Sequence, residues 1–440
     1  MIARALSGAL VAAAVVAALA FTPWLPLDEP EPLAAASLSV TPARQDLGCA
    51  GPLVLPSGAV DSGDSELSGA STGVKRSVYT AGSHDAAGAG VTSDAAVAAQ
   101  VERVGGGDLS SLAALTCTAP RTDQWLVGAA TSVGASARLV LTNPSRSSVE
   151  ATVVAYTSLG QLDSSRVVPL APHDQAVVLL EGVAVEASAL VVHVSANGTG
   201  VVAALQDSRL DGFQPAGTDW VVSGADPAPS LIVPGVGTAG DENATVSLRL
   251  MSPSGAIAHL RLMTPEGAAV WEGVAALTLD PGVVVDVDVP AVDAGTALVE
   301  ADGAVVAGAL LTTTRAATTG VAGDVASEIA WVPAQDPTDE TRALVTVGYS
   351  ETLTVSAATA GTFALSDATG ASVASVDLGS GETASIRLNV PPGTQLMATG
   401  PFAWAVVVRN GGYVTSVSPT RTTLDDLTIA VAQRRYVPVP

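Results

Sequence analysis

Apolar and polar residues alternate with a period of two through much of the chain, most clearly between Leu139 and Leu205. From Val149 to Tyr156, alternate positions hold valine and alanine on one face, while Glu150, Thr152 and Tyr156 fall on the other. Such a period is typical of half-buried β-strands. Turn residues such as Asn143-Pro144-Ser145 separate these strands at intervals of roughly 8–12 residues, which is typical of a β-sandwich or barrel.

The same template returns twice further along the chain. Leu170-Ala171-Pro172 recurs as Leu279-Asp280-Pro281, and the segment Gly295–Leu310 recurs as Gly393–Val408. The repeat is about 100 residues long, which is the length of one immunoglobulin-like sandwich. Short tryptophan motifs are interpreted as the joints that precede the copies, at Trp125-Leu126-Val127, Trp220-Val221-Val222 and Trp331-Val332-Pro333. The pattern therefore predicts three tandem immunoglobulin-like copies in an all-β chain.

The predicted organisation has six parts. They are a signal peptide or membrane anchor (1–27), a linker (28–37), an N-terminal β module with long loops (38–120), copy 1 (121–220), copy 2 (221–331) and copy 3 with a C-terminal tail (332–440). Within the N-terminal module, the stretch from Val91 to Val104 fits either a helix or a strand, because its apolar residues have mixed spacing.

The first 27 residues carry the pattern of an exported protein. Arg4 precedes an uncharged run from Ala5 to Phe21, which is long for a signal peptide and short for a spanning helix. Cleavage after Ala20 or after Ala36 would release the chain, whereas an uncleaved run would anchor it. Both alternatives place the remainder outside the cytoplasm, and we slightly favour the anchor.

Composition limits the classes of partner. The chain is 48% hydrophobic but only 3% aromatic, so its cores must consist of valine, alanine and leucine. Its formal net charge is −23. Such an acidic chain repels phosphate groups, so nucleic acid and anionic lipid headgroups are poor partners, and we predict no nucleic-acid partner.

The chain contains two cysteines, Cys49 and Cys117. In an exported protein a pair of this kind persists as a disulfide. Two buried free thiols are the alternative, whereas a metal site is disfavoured because no metal-ligand spacing accompanies the cysteines. We expect a disulfide that stabilises residues 38–120 and leaves the three copies unaffected.

The sequence contains no convincing catalytic or cofactor-binding constellation. Gly235-Val-Gly237-Thr-Ala-Gly240 matches a dinucleotide fingerprint, but no helix is predicted to follow it. Ser71 matches a nucleophile elbow, but it lies in a low-complexity loop. The histidines lack metal-ligand spacing; they are His84, His173, His193 and His259. We therefore predict no catalytic residues, no metal ligands and no cofactor.

Acidic groups near the predicted joints leave a calcium role open. They comprise Asp241/Glu242 and Asp336/Asp339/Glu340, while Asp286 and Asp288 are expected to face solvent from one strand. Calcium requires six to eight oxygen ligands, and none of these groups has the spacing of a calcium loop. A pair of glycosidase carboxylates cannot be chosen from sequence, because such pairs meet only in space.

Several structural motifs resemble a secreted actinobacterial family, domain of unknown function 5719. They are the apolar N-terminal segment, Cys49-Ala-Gly-Pro52, Cys117 with Pro120, Trp125-Leu-Val-Gly128 and Leu139-Val-Leu-Thr-Asn-Pro144. The resemblance covers nearly the whole chain and implies no activity.

Together these patterns predict a non-enzymatic, extracytoplasmic protein of the cell envelope, either membrane-anchored or secreted. Its tandem sandwiches would bind an envelope protein or glycan, or would act as a spacer. The N-terminal helix would contact the membrane. The alternatives are a cell-wall polysaccharide hydrolase and a calcium-dependent adhesion module.

Overall fold

The computed structural model describes residues 36–40, 45–54, 73–80, 84–87, 90–93, 97–106, 109–212, 214–271, 273–274, 276–317, 324–421 and 427–431. These ranges form an all-β structure of several sheets, in which the one helical element is a short 3₁₀ turn at Leu180–Gly182. No helix in these ranges has the length and apolar character needed to cross a membrane. The predicted signal peptide or anchor (1–27) and Ser71 lie outside the described residues.

The chain divides into two compact units, residues 1–42 with 425–440, and residues 43–424. In the first unit, strand β1 (Ala36–Val40) pairs antiparallel with β33 (Leu427–Val431). The second unit contains all the remaining strands.

The N-terminal module consists of two three-stranded sheets, β2-β5-β4 and β3-β6-β7. Its strands are β2 (Gln45–Gly48), β3 (Lys75–Thr80), β4 (His84–Ala87), β5 (Gly90–Ser93), β6 (Ala98–Val104) and β7 (Ser111–Cys117). The ambiguous stretch from Val91 to Val104 therefore contributes to two strands. A disulfide joins Cys49 to Cys117, with the Cα atoms 4.6 Å apart.

Copy 1 contains eight strands in two four-stranded sheets, β11-β10-β13-β8 and β12-β9-β14-β15. They are β8 (Asp123–Val127), β9 (Ala135–Thr142), β10 (Val149–Thr157), β11 (Gly160–Leu170), β12 (Gln175–Leu179), β13 (Leu190–Ala196), β14 (Val202–Asp211) and β15 (Gln214–Val222). Leu139, Val153 and Leu205 meet in one core that both sheets share. The inward residues of β10 are those that the period-two pattern indicates.

Copy 2 repeats this arrangement, with β22 serving both sheets. Its strands are β16 (Ala228–Pro234), β17 (Thr245–Met251), β18 (Ala256–Thr264), β19 (Gly267–Val270), β20 (Leu277–Leu279), β21 (Val285–Asp288), β22 (Thr296–Ala316) and β23 (Val325–Pro333). Strand β18 pairs with β19, β20 and β22, and β16 also pairs with β22. The other sheet has the order β21-β17-β22-β23.

Copy 3 has the same strand order once more, with sheets β27-β26-β29-β24-β32 and β28-β25-β30-β31. Its strands are β24 (Glu340–Val345), β25 (Ser350–Ala357), β26 (Gly361–Asp367), β27 (Ser372–Leu378), β28 (Glu382–Arg387), β29 (Gln395–Gly400), β30 (Phe402–Asn410), β31 (Tyr413–Val417) and β32 (Thr420–Arg421). Phe363, Trp404 and Leu396 lie in the core of this copy.

The tryptophan motifs do not mark equivalent joints. Trp220 and Trp331 lie in the last strands of copies 1 and 2, whereas Trp125 lies in the first strand of copy 1. Trp220 and Trp331 therefore precede copies 2 and 3, as the sequence indicates, whereas Trp125 lies within copy 1 rather than before it. Tryptophan followed by small apolar residues fits any well-packed strand, so the motif does not identify a position in the sheet.

Four strands from the four modules meet at the centre of the second unit. We call β7, β15, β23 and β31 the central strands; each is the last strand of a three- or four-stranded sheet in its own module. Each contacts two others, in the cyclic order β7, β15, β23, β31 and back to β7. The copies are therefore packed around a common centre, and the N-terminal module occupies the fourth place.

Candidate functional site at the centre of the four modules

The central strands are sheet edges, and an edge carries backbone groups without a partner in its own sheet. When such an edge is buried, those groups must find other partners. Here the side chains of neighbouring central strands supply them. Asp219 of β15 accepts a hydrogen bond of 2.8 Å from the Trp331 N–H of β23. The hydroxyl of Thr415 in β31 accepts one of 2.9 Å from the Ala114 N–H of β7.

Two serines complete the ring of hydrogen bonds. The Oγ of Ser111 in β7 lies 2.6 Å from the carbonyl oxygen of Thr218 and 3.0 Å from its backbone nitrogen. Ser416 in β31 donates to the carbonyl oxygen of Trp331 across 2.5 Å. Each of the four contacts around the ring thus contains at least one side chain–backbone hydrogen bond, which explains why polar residues occupy a buried centre.

Gly217 allows β15 and β23 to approach closely. Its φ of +104° is rarely adopted by other residues, and a Cβ atom at this position would lie 2.7 Å from the backbone nitrogen of Ile329. The glycine is therefore required both by the backbone conformation and by the neighbouring strand.

Glu328 and Arg315 are hydrogen-bonded to each other in the buried centre. Arg315 Nε donates to Glu328 Oε2 across 2.9 Å, and both side chains are almost fully buried. The guanidinium group also donates to the carbonyl oxygens of Ser110 at 3.0 Å and Pro215 at 2.7 Å. Burial raises the pKa of Glu328 to about 7, against the opposing effect of hydrogen bonds from Ser111 and Arg315.

Asp219 is fully buried and receives donors from three directions. They are the backbone N–H groups of Trp331 and Trp220 and the hydroxyl of Thr415, the last at 2.7 Å. Burial raises the pKa of Asp219 well above its usual range, although these donors act in the opposite direction. The nearby charge of Glu328 also raises it.

A cavity of about 340 Å³ lies beside the C-terminal ends of the four central strands. Its lining includes the segments 115–116, 118–121, 222–226, 333–336 and 418–421, so all four modules contribute to it. Apart from charged and hydroxyl-bearing residues, the lining consists mainly of alanine, valine and proline. None of the described lining residues is aromatic.

Arginine–carboxylate pairs surround this cavity. Arg121 pairs with Asp226 at the exposed rim. Asp336 accepts a hydrogen bond of 2.6 Å from the buried Arg342 and also pairs with Arg421. In the described part of the chain, the buried Oγ of Ser418 has no hydrogen-bond partner. The cavity therefore combines small apolar surfaces with paired charges at its rim and one unpaired hydroxyl.

The histidines and the glycine-rich motif considered in the sequence analysis do not belong to the described ring or cavity lining. His193 is hydrogen-bonded to Asp123 at 2.8 Å and stacks on Trp125 with a centroid distance of 4.1 Å. Gly235–Gly240 is a loop that leads into strand β17 without an intervening helix. His84 lies in β4, His173 in a turn and His259 in β18. The described lining of the cavity includes no histidine.

Among the acidic groups near the joints, Asp336 and Glu340 pair with arginines. Arg421 contacts both Asp336 and Glu340, and the Arg421–Glu340 distance is 2.5 Å. Asp286, which was expected to face solvent, is half-exposed and accepts a 2.7 Å hydrogen bond from the buried Arg249. Within the described ranges, no group of three or more His, Cys, Asp or Glu side chains could hold a metal ion.

Comparison with known proteins bears on the family of the chain. A family model described as a family of unknown function, DUF5719, matches residues 70–399. The chain belongs to the DUF5719 family. No curated protein matches this DUF5719 chain. A solved structure, the BSP domain of a biofilm associated protein, aligns at 7% identity over 82% of this chain and 67% of that chain. The TM-score of 0.14 is too low to carry an argument about fold or function.

Sequence reasoning missed the central residues of this DUF5719 chain. Ser111, Asp219, Arg315, Glu328 and Thr415 are far apart in sequence and meet only in the ring. A local signal does exist, because Asp219 and Glu328 are acidic residues inside otherwise apolar strands. A buried acid of this kind requires partners, so it indicates a contact with another module.

Proposed function

We propose that this DUF5719 protein is an exported, non-enzymatic component of the cell envelope that binds a partner at the cavity beside the central strands. The observation that carries the proposal is the composition of that cavity, since segments from all four modules line it. Pockets formed where modules meet are common ligand sites. Modules that pack around a common centre span less distance than modules arranged in a row. This packing favours a binding role over a spacer role.

We further propose that the three copies are immunoglobulin-like sandwiches in a broad sense. In copies 1 and 3 the second strand pairs with the fifth and the third with the sixth, as B pairs with E and C with F in immunoglobulin domains. The edges differ, because the first strand pairs with the sixth and the seventh with the second. The first and seventh strands thus exchange the places that they have in an immunoglobulin constant domain.

The export part of the proposal rests on two features. The first 21 residues have the charge and apolar pattern of a signal peptide or anchor. The disulfide between Cys49 and Cys117 is of a kind that persists in oxidising compartments. Whether the chain is anchored or released is decided by the N-terminal sequence of the exported protein. A terminus at Phe21 or Ser37 would show release.

The cavity favours a polypeptide partner over a glycan. Its lining offers small apolar surfaces, a free hydroxyl at Ser418 and half-exposed charges at Arg121 and Asp226. These groups suit an extended peptide with small apolar side chains and at least one charged group. The lining residues that the structure describes include no aromatic ring on which a sugar could stack. We therefore propose an extended segment of another envelope protein as the ligand.

Site-directed photocrosslinking tests this proposal. A photoreactive residue placed at Ala225, in the lining of the cavity, should crosslink to a peptide of one envelope protein when cells are irradiated. The matched control places the same residue at Ala269, an exposed alanine of β19. The crosslinked peptide should be identified by mass spectrometry.

The position of the crosslink decides the outcome. A peptide captured at position 225 and absent at 269 would support binding at the cavity. Capture of the same peptide at both positions, or of a glycan at 225, would contradict the proposed ligand. No crosslink at 225 in a folded protein would contradict the binding role itself.

A further inference from the structure

The hydroxyl of Ser111 has more acceptors around it than it has protons. Its oxygen is hydrogen-bonded to the carbonyl oxygen of Thr218, to the backbone N–H of Thr218 and to Oε1 of Glu328. A serine hydroxyl has one proton to donate and two lone pairs to accept with. It therefore cannot make full hydrogen bonds to the carbonyl oxygen and to an ionised carboxylate at the same time.

A proton on Glu328 resolves this conflict. Oε1 would then donate to the Ser111 oxygen, Ser111 would donate to the Thr218 carbonyl, and the Thr218 N–H would donate to Ser111. Every donor and acceptor of the group would be satisfied. Oε2 would still accept the 2.9 Å hydrogen bond from Arg315. Buried polar networks are stable only when all members have partners in this way.

The surrounding charges agree with this assignment. Four titratable groups from other strands lie near Glu328 or share its partners: Arg315 of β22, Arg103 of β6, Asp219 of β15 and Tyr413 of β31. Asp219 receives three donors, which stabilise its ionised form, although burial raises its pKa. Ionised Asp219 and ionised Glu328 would repel each other, which favours a proton on one of the two acids. The crowded acceptors around Ser111 place that proton on Glu328.

We propose that a proton on Glu328 holds β7 against β15 and β23, so that the ring of central strands is closed at mildly acidic pH and loosens as that proton is lost. The contact joins three modules, because Ser111 belongs to the N-terminal module, Thr218 to copy 1 and Glu328 to copy 2. Strand β7 also carries Leu115 and Thr116 into the lining of the cavity. Loss of the proton would therefore alter the wall of the cavity, whatever ligand it holds.

The direction of the pH dependence follows from the raised pKa of Glu328. An acid whose pKa is higher in the folded state stabilises that state at low pH, and this stabilisation is lost as pH rises. The window runs from the ordinary value of 4.5 to about 7. Across this window the opening of β7 should increase by on the order of a hundredfold, as expected for a shift of this size.

Hydrogen exchange of the full exported chain measures this opening. The backbone amides of β7 should exchange faster at about pH 8 than at about pH 5, after correction for intrinsic exchange rates. The decisive variant is Glu328→Gln, because its amide can donate to Ser111 and accept from Arg315 as a protonated glutamate does, but it does not titrate. In this variant the exchange of β7 should lose most of its pH dependence and stay slow.

A second buried acid provides the control. Glu351 is buried in copy 3, where it accepts hydrogen bonds from the N–H groups of Val347 and Gly348. Glu351→Gln should leave the pH dependence of β7 unchanged. The proposal would be overturned if Glu328→Gln kept the wild-type pH dependence in β7, or if it opened β7 already at about pH 5.

Infrared spectroscopy covers the case in which Glu328→Gln does not fold. The wild-type protein should show the C=O band of a protonated, buried carboxylic acid that disappears as pH rises through about 7. The position of this band should shift in Ser111→Ala, because the acid loses its acceptor. A band that is absent at about pH 5, or unchanged in Ser111→Ala, would overturn the assignment of the proton to the Glu328–Ser111 contact.

Discussion

The interiors of the three copies and the centre of the ring are both buried, but they are stabilised in different ways. The copy 1 core consists of residues such as Leu139, Val153 and Leu205, which contribute only apolar surface. The centre contains Asp219, Arg315 and Glu328, together with hydroxyl groups that bind backbone atoms. A sandwich core can be completed by any side chains of suitable size and shape. The ring centre requires particular hydrogen-bond partners.

This difference shows why the modules pack with a defined geometry. Apolar contact is non-directional, so it brings sheets together without fixing which strand edge faces which. The hydrogen bonds of Asp219 to Trp331 and of Thr415 to Ala114 fix the positions of β15, β23, β31 and β7. We infer that the apolar cores fold each copy and that the polar centre determines how the copies associate.

Removal of the disulfide should have the largest effect. The two cysteines are 68 positions apart, and opening a loop of that size should cost about 4 kcal/mol in the chain-entropy model. The sequence suggested that only residues 38–120 would respond. In the structure, however, Cys49 and Cys117 pack in one cluster with Val140, Ala204 and Trp220 of copy 1. Cys49→Ser with Cys117→Ser should therefore also accelerate hydrogen exchange in β14 and β15.

The extent of the exchange change tests the boundary between the modules. Copy 3 strands far from this cluster, such as β27, serve as the internal control. If faster exchange were confined to residues 45–117, the cluster would not couple the N-terminal module to copy 1. The N-terminal module would then have to be treated as an apolar region independent of both the copy cores and the centre of the ring.

Arg315→Met should reveal the cost of an unpaired buried charge. Arg315 donates to Glu328 in the buried centre, and its loss leaves that carboxyl group without its guanidinium partner whenever the acid is ionised. We expect a loss of about 3 kcal/mol in the free energy of unfolding, in the range found for broken buried ion pairs. Urea unfolding of the variant measures it. Addition of Glu328→Gln to Arg315→Met should restore part of the stability, because one unpaired acid is removed.

The matched variant in an apolar core is Leu205→Ala. It should cost about 3 kcal/mol through lost burial and a new cavity. Its cost should be the same at about pH 5 and about pH 8, because no titratable group is involved, whereas the cost of Arg315→Met should change with pH. Equal pH dependence of the two variants would remove the distinction between centre and core.

Gly217→Ala should cost about 2 kcal/mol, from backbone strain and from the close approach of β23. Gly160→Ala is a matched control, because Gly160 has a similar φ of +110° but no atom within 4 Å of the position that a Cβ would take. It should therefore cost only the strain, about 1 kcal/mol. The difference between the two melting temperatures isolates the contact between β15 and β23. Equal shifts would show that the strands can separate without cost.

The sequence allowed the strands and the apolar faces to be predicted, because both depend on local periodicity. The alternation in β10 is one example. The disulfide partners could also be predicted, because two cysteines allow only one pairing. The position of the N-terminal module in the ring could not be predicted. It depends on contacts such as Ser111 with Glu328, which are 217 residues apart. The cavity could not be predicted either, because its walls come from joints in four different modules.

The Arg121–Asp226 pair at the rim of the cavity should have the smallest effect on stability. Both side chains are well exposed, at 39% and 59%, so solvent screens their attraction. Exposed pairs of this kind contribute about 0.5 kcal/mol or less. Asp226→Ala should therefore leave the melting temperature nearly unchanged. It should nevertheless alter crosslinking from position 225 if the charge contacts the ligand. A large loss of stability in Asp226→Ala would show that the rim belongs to the structural centre rather than to a binding surface.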